Sequence, residues 1–166
     1  NFKLHHFAVI GILLLSFSIS YTIKSQPLDY ANELNEFDPF LNFRATEYLV
    51  ENGFSQYFEW HDDKSWYPTG RDVSATSQTM LHITAAISYE IFGGNSSLYD
   101  FTIFFPLAIA SLSVFVIFAL VRLFGGTTAG LISSLLIAIS LPIAVRAMAG
   151  WFKSEPLGIF YGLLGL

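Results

Sequence analysis

The sequence contains no cysteine, which removes disulfide frameworks, thiolate metal sites and cysteine nucleophiles together. Charge is scarce as well. Asp, Glu, Lys and Arg make up 13% of the 166 residues, against 53% apolar residues. A soluble domain carries roughly a quarter charged residues, so the composition points to a membrane protein. Clustered Lys and Arg are also lacking, with 8 basic residues against 13 acidic ones. Phosphate-backbone binding needs such clusters, and nucleic acid is therefore excluded as a partner. The sequence has no glycine loop of the strand-to-helix kind that cradles phosphates, and neither His61 nor His82 has a histidine partner at metal-ligand spacing.

What charge there is lies in one place. Residues 25–100 hold twelve of the acidic residues and only Arg44, Lys64 and Arg71 as bases, a net charge of −9. The remainder holds one acid, Glu155, and five bases, a net charge of +4. An acidic, water-facing segment is set into a nearly charge-free membrane part.

Residues 4–23 carry no Asp, Glu, Lys or Arg, matching the roughly 20 apolar residues of a membrane-spanning helix. A cleaved signal peptide is the alternative, with Lys3 as basic flank and Ser18-Ile19-Ser20 as small residues. The run exceeds the roughly 7–15-residue core of such peptides, and an uncleaved first span is expected. Residues 24–100 form an expected external loop. Its first part, 24–73, is interrupted by Pro27, Pro39 and Pro68 and is rich in aromatics, which argues against disorder. A short helix is predicted over 42–50, stopped by Gly53. Over 74–92, Met80, Ile83, Ile87 and Ile91 recur at helical spacing among Ser and Thr, the pattern of an amphipathic helix lying in the membrane interface. Residues 101–121 and 123–145 are charge-free and predict a helical hairpin, with Arg122 and Gly125-Gly126 between its arms. Residues 146–155 would be a second external loop and 156–166 the start of another span. The sequence stops inside that apolar run, which reads as the front end of something larger. The expected fold class is an all-α polytopic membrane protein with a large first external loop. Its orientation is weakly set: Lys3 and Arg122 mark a cytoplasmic side, whereas Lys24, Arg146 and Lys153 count against it.

Three pieces carry chemistry. The first is Glu36-Phe37-Asp38-Pro39 with Asn42, Arg44 and Glu47. The second is Trp66-Tyr67-Pro68-Thr69-Gly70-Arg71. The third is Arg146, then Gly150-Trp151-Phe152-Lys153-Ser154-Glu155. Asp38, biased away from the helical region by Pro39, suits either a hard divalent cation or the cap of the helix near Asn42. Glu155 is the single acid after residue 100; an acid beside membrane segments is costly and reads as functional, with a plain ion pair to Lys153 or Arg146 as the alternative. The Trp66–Arg71 turn, taken alone, is a packing corner as easily as a site. Parity links the two acids. If 74–92 lies flat, Asp38 and Glu155 face the same compartment; if it crosses, they do not. On the same condition the acceptor sequon Asn95-Ser96-Ser97 also lies outside.

Together these pieces resemble the catalytic subunit of oligosaccharyltransferase, in its archaeal or single-subunit form. The run from Glu36 through Asn42, Arg44-Ala45-Thr46-Glu47-Tyr48-Leu49 and Asn52-Gly53 looks like the family's first external loop, Trp66-Tyr67-Pro68 with Gly70-Arg71 follows at the expected place, and Arg146 to Glu155 looks like its second acidic motif. The resemblance implies the transmembrane domain of a C-superfamily glycosyltransferase, in the endoplasmic reticulum or the archaeal plasma membrane, with the first loop extracytoplasmic. It implies a lipid-linked, dolichol-type oligosaccharide donor and an acceptor polypeptide with an Asn-X-Ser/Thr sequon, the remaining partner being membrane lipid. Mn²⁺ or Mg²⁺ would be held by Asp38 and Glu155, with Asp38 and Arg146 catalytic and Lys153, Trp66, Tyr67 and Arg71 contacting substrate. One departure stands out. The family's second motif offers two metal-binding positions two residues apart, and here the first is Lys153, which cannot ligate a metal while protonated. Lys153 would then pair with a donor phosphate, or another residue would supply the ligand. The family's sequon-reading Trp-Trp-Asp motif lies in later parts of the protein and is absent here, so the chain by itself should be inactive. A lipid-linked sugar transferase with a non-protein acceptor, or an inactive membrane paralogue, are the alternatives.

Overall fold

The computed structural model describes residues 4–166, so Lys3, one of the two expected cytoplasmic markers, lies outside the described residues. The elements run α1 (Leu4–Ser25), a 3-10 turn (Gln26–Asp29), α2 (Phe37–Glu59), β1 (His61–Asp62), β2 (Arg71–Asp72), α3 (Val73–Thr76), α4 (Thr79–Phe92), α5 (Leu98–Ile139), α6 (Leu141–Val145) and α7 (Glu155–Leu164). The two short strands pair antiparallel. Two stretches, Leu4–Asp29 and Leu98–Ile139, are long and apolar enough to cross a membrane. The 22 residues of α1 reach about 33 Å, against a hydrocarbon layer of about 30 Å.

α5 is two helices. Gly126 has φ 78° and ψ 178°, a conformation that a Cβ essentially forbids, and the chain reverses there. Ser134 Oγ donates to the Val114 carbonyl at 3.2 Å, and Gly130 lies against Phe118. The arms are therefore antiparallel, as expected, and the turn is at Gly126, within the Gly125-Gly126 pair expected between them. Arg122 stays in the first arm with its guanidinium over the Phe118 ring, 5.8 Å from the centroid. The return arm ends at Ile139, short of the expected 145, because Pro142 lacks the N–H that would continue it and instead opens α6. α1 packs along the hairpin, with Phe17 stacked on Phe115 at 5.6 Å.

Three other boundaries move for local reasons. α2 begins at Phe37, ahead of the expected Asn42, because Pro39 in a first turn sacrifices no hydrogen bond and the Asp38 carboxylate complements the helix dipole. Gly53, at φ 82°, kinks α2 without ending it. The single helix expected over 74–92 is split at Ser77-Gln78. Thr76 Oγ1 and Ser77 Oγ donate to the carbonyls of Asp72 and Val73, and such side-chain bonds compete with helix propagation.

Backbone hydrogen bonds fix which ends meet. Ala149 N–H donates to Lys24 O and Gly150 N–H to Ile103 O, both at 2.9 Å. The exit of α1, the entry of α5 and the 146–154 segment therefore share one end of the bundle. His5, His6, Arg122 and Thr127 line a cleft elsewhere, where the start of α1 meets the hairpin turn. α4, with 14 residues and a length of about 21 Å, is too short to cross a bilayer. It packs instead under the shared end. Leu81 and Ala85 join Leu34, Ile103, Phe105, Leu107, Ala149, Phe152 and Leu157 in one core, and Ala86 joins Ala45, Leu49, Tyr57 and Val73 in a second.

Candidate active site

At the shared end, the turn entering α2 faces the 146–154 segment. Glu36 leads the turn with φ 70° and ψ 178°, a region populated almost only by glycine and costing a residue with a side chain about 1–3 kcal/mol. The opposing segment is knitted to this turn. Asn35 N–H donates to Gly150 O at 2.9 Å, and Asn35 Nδ2 donates to Ala149 O at 3.1 Å. Gly150 has φ 80°, and a Cβ there would stand 2.3 Å from Glu33 O and 2.7 Å from Asn35 Nδ2, so only glycine permits the approach.

Beneath the turn runs a buried hydrogen-bond chain. Asn42 Nδ2 donates to the Phe152 carbonyl at 2.9 Å. That bond fixes the amide, leaving Asn42 Oδ1 to accept from His82 Nε2 at 3.1 Å. His82 Nδ1 then accepts from the Tyr57 hydroxyl at 2.6 Å. With His82 neutral and its proton on Nε2, each donor in this chain meets an acceptor. Burial, with the positive charge of Arg71 nearby, pushes the His82 pKa down to about 4, which keeps the ring neutral. The chain ties α4 through α2 to the backbone one residue before Lys153.

Above Asn42 opens a cleft of about 220 Å³, lined by Asp38, Asn42, Gln78, Arg146, Lys153, Ser154 and Glu155. Four residues singled out from sequence, Asp38, Arg146, Lys153 and Glu155, thus meet in one place. Lys153 Nζ lies 2.8 Å from Glu36 Oε2 and 3.1 Å from Asp38 Oδ2. The hydrogen bond to Glu36 and the nearby Asp38 carboxylate hold its ammonium above the usual lysine range, against the cost of desolvation. Arg146 Nη1 lies 3.4 Å from Glu155 Oε1. Trp151 stands between the two cations, its ring 4.3 Å from Lys153 Nζ and 5.5 Å from the Arg146 guanidinium.

The divalent ion that the resemblance implies can be tested against these donors. A hard cation takes six or more oxygens. Here Asp38 Oδ2 and Glu155 Oε1 each face a resident cation, and among the described residues Glu155 Oε2 is the one carboxylate oxygen buried without a partner. Among the described residues, no group of three or more His, Cys, Asp or Glu side chains gathers to hold a metal. With Lys153 charged, these residues do not fit a divalent ion.

Trp66, Tyr67 and Arg71 are not among the residues lining the cleft. They belong to the β1–β2 hairpin, where Arg71 is nearly buried. Its Nε donates to Thr76 Oγ1 at 2.9 Å, its Nη2 to Thr76 O at 2.7 Å, and its guanidinium stacks 4.5 Å over Trp66. Trp66 and Tyr67 are exposed. The cleft also uses Asn42 and Ser154, which stand in the first and third pieces without an assigned role, and Gln78, which the sequence reading does not select. Asn42 follows Asp38 by four positions, one helical turn, a spacing that signals a shared face. Gln78 carries no comparable signal.

The family described as "Oligosaccharyl transferase STT3, N-terminal" matches residues 6–166. The rice dolichyl-diphosphooligosaccharide–protein glycosyltransferase subunit STT3A is 29% identical over 163 residues, covering 92% of this chain and 19% of that protein. The Arabidopsis thaliana subunit STT3B is 31% identical over 159 residues, covering 93% of this chain and 22% of that one. The chain thus spans about a fifth of the length of these relatives. Among solved structures, the archaeal oligosaccharyltransferase AglB from Archaeoglobus fulgidus, in complex with an inhibitory peptide and a dolichol-phosphate, shares the fold with a TM-score of 0.79 at 20% identity, over 96% of this chain and 19% of that one.

Proposed function

The chain belongs to the oligosaccharyl transferase STT3 amino-terminal family, and from that premise we propose that the full-length protein transfers an oligosaccharide from a lipid-linked, dolichol-type donor to the side-chain amide of asparagine in Asn-X-Ser/Thr sequons. The relatives' names supply the donor class and the protein acceptor. The observation that carries the reading to this chain is the meeting of Asp38 and Glu155, from the two halves of the sequence, in one cleft beside the exit of α1. In this reading the cleft faces the extracytoplasmic side, and α4 lies along the membrane surface beneath it.

The chemistry asks for such carboxylates. An amide nitrogen is a poor nucleophile because its lone pair is delocalised into the carbonyl. A carboxylate accepting an amide hydrogen from the acceptor asparagine favours rotation about the C–N bond and frees that lone pair. The nitrogen then bonds to the sugar's anomeric carbon, the bond from that carbon to the donor phosphate oxygen breaks, and the amide proton passes to a carboxylate. Asp38 is assigned to that contact. Arg146, which lines the same cleft, offers positive charge to the departing phosphate.

The test is transfer from a lipid-linked oligosaccharide to an Asn-X-Thr peptide by the purified full-length protein, read as a glycopeptide mass. We expect transfer, and a loss of about 100-fold or more in Asp38→Ala and Glu155→Ala, the scale of removing a group that acts in the transition state. Folded protein that yields no glycopeptide would refute the reading. Lys153 on Asp38 favours a second one, a lipid-linked sugar transferase with a hydroxyl acceptor, since a hydroxyl needs no amide rotation. Product on a lipid or hydroxyl acceptor, with none on the peptide, would select it.

A further inference from the structure

Lys153 is a cation already built into the cleft. Its ammonium, with one positive charge and three donor hydrogens, reaches Glu36 Oε2 at 2.8 Å and Asp38 Oδ2 at 3.1 Å. It packs on the Trp151 ring at 4.3 Å, and only 13% of its side chain is exposed. Both carboxylates come from the turn whose backbone at Glu36 adopts a conformation reserved almost wholly for glycine. A turn in that state persists only where its surroundings hold it, and Lys153 grips both acids from across the cleft.

We propose that Lys153 is the resident counter-cation of Asp38. It joins the two facing segments as a shared divalent ion would, and it disfavours the binding of such an ion at Asp38. This rests on Asp38 being the acceptor-facing carboxylate of the proposed function. The physical grounds are charge and valence. A divalent ion at Asp38 would sit close to the ammonium in a partly buried cleft, where like charges repel more strongly than in water. The oxygen nearest the ammonium, Asp38 Oδ2, is already engaged. Because Lys153 takes only Oδ2, Asp38 Oδ1 is left to accept an N–H from the acceptor, and the carboxylate is oriented without a metal.

The experiment is Mn²⁺ binding to the full-length protein in detergent, after chelator treatment, read as loss of the free Mn²⁺ electron paramagnetic resonance signal. Wild type, Lys153→Asp, Lys153→Met and the double variant Lys153→Met/Asp38→Asn are compared. Affinity at an oxygen site follows the charge of its ligands. Both single variants should therefore bind Mn²⁺ at least about tenfold more tightly than wild type, and adding Asp38→Asn should abolish the gain. Lys153→Met, close to lysine in shape, decides the matter if Lys153→Asp does not fold. Wild type binding Mn²⁺ as tightly as the folded variants, or a gain that survives Asp38→Asn, would overturn the proposal. Neither donor nor acceptor is present in this assay, so an absence of glycosyl transfer would count against the proposed function and leave the binding result standing.

Discussion

Replacing Asn42 by Ala tests whether the floor of the cleft is held by the buried chain from Tyr57 to Phe152. The substitution removes two hydrogen bonds, one to the Phe152 carbonyl at 2.9 Å and one from His82 Nε2 at 3.1 Å. It leaves a carbonyl and an N–H without partners at sites where Phe152 and His82 are fully buried. Each orphaned group costs about 1–3 kcal/mol. Asn42 itself lines the cleft, so a water can enter from that side and recover part of the loss, which places the expected total near 3 kcal/mol. The assay is denaturant unfolding of the full-length protein in detergent, followed by tryptophan fluorescence, because Trp151 flanks the affected carbonyl. A double-mutant cycle with His82→Phe separates the shared bond from the rest. The two changes should be less than additive by about 1 kcal/mol or more, since each removes the same contact. A destabilisation below about 1 kcal/mol, or strict additivity, would show that the chain does not hold the floor.

The same chain sets a pH dependence. The His82 pKa lies below its ordinary value near 6.5, at about 4, so the fold favours the neutral ring. The stabilisation is complete above about pH 6.5 and is lost as pH falls toward 4. The loss is about 2 kcal/mol by pH 5, and His82→Phe should flatten that slope in unfolding measurements between pH 7.5 and 5. Arg71→Lys should destabilise by about 1–2 kcal/mol, because a lysine cannot reproduce the paired bonds to Thr76 and the stacking on Trp66; a change in donor affinity with unchanged stability would instead give Arg71 a substrate role. Gly150→Ala should cost at least about 2 kcal/mol, combining the positive φ with a 2.3 Å approach to Glu33 O. Unaltered thermal stability would mean that the two facing segments are not packed as described.

The long-range plan was legible because it rests on counting. Charge-free runs gave the helical hairpin, and the Ser- and Thr-studded stripe of residues 74–92 set them apart from a span. Once 74–92 does not cross, connectivity alone returns Glu155 to the side of Asp38, and the bonds from Ala149 to Lys24 and from Gly150 to Ile103 give that side its physical form. What escaped was local competition. Nothing in the periodicity says that Thr76 and Ser77 will spend their hydroxyls on backbone carbonyls and split the helix, or that Arg122 will stay in the first arm while the Gly125-Gly126 pair alone carries the reversal. For Arg71 the sequence shows an exposed-looking turn with an arginine, while in the fold the guanidinium turns back five residues onto Thr76.

The acidic turn shows why the site is a property of two segments and of neither alone. Glu36 bears a conformational cost of about 1–3 kcal/mol. The partly exposed pair with Lys153 offsets at most about 1 kcal/mol of it, and the two Asn35 bonds to Ala149 and Gly150 about 1 kcal/mol each. Those compensating contacts come from residues 149–153 and vanish if that segment leaves. The turn that presents Asp38 is therefore stabilised by the docking of the second segment, beside the bond from Leu34 N–H to the Tyr99 hydroxyl. The segment is docked in turn by Phe152, buried in the core with its carbonyl on Asn42, and by the backbone bonds of Ala149 and Gly150 to Lys24 and Ile103. Lys153 sits at the junction of these dependencies. From sequence it is a base where a ligand was expected. In the fold it is, among the described residues, the side chain that pairs with both carboxylates of the strained turn, and its charge makes the geometry of Asp38 conditional on the arrival of the other half of the site.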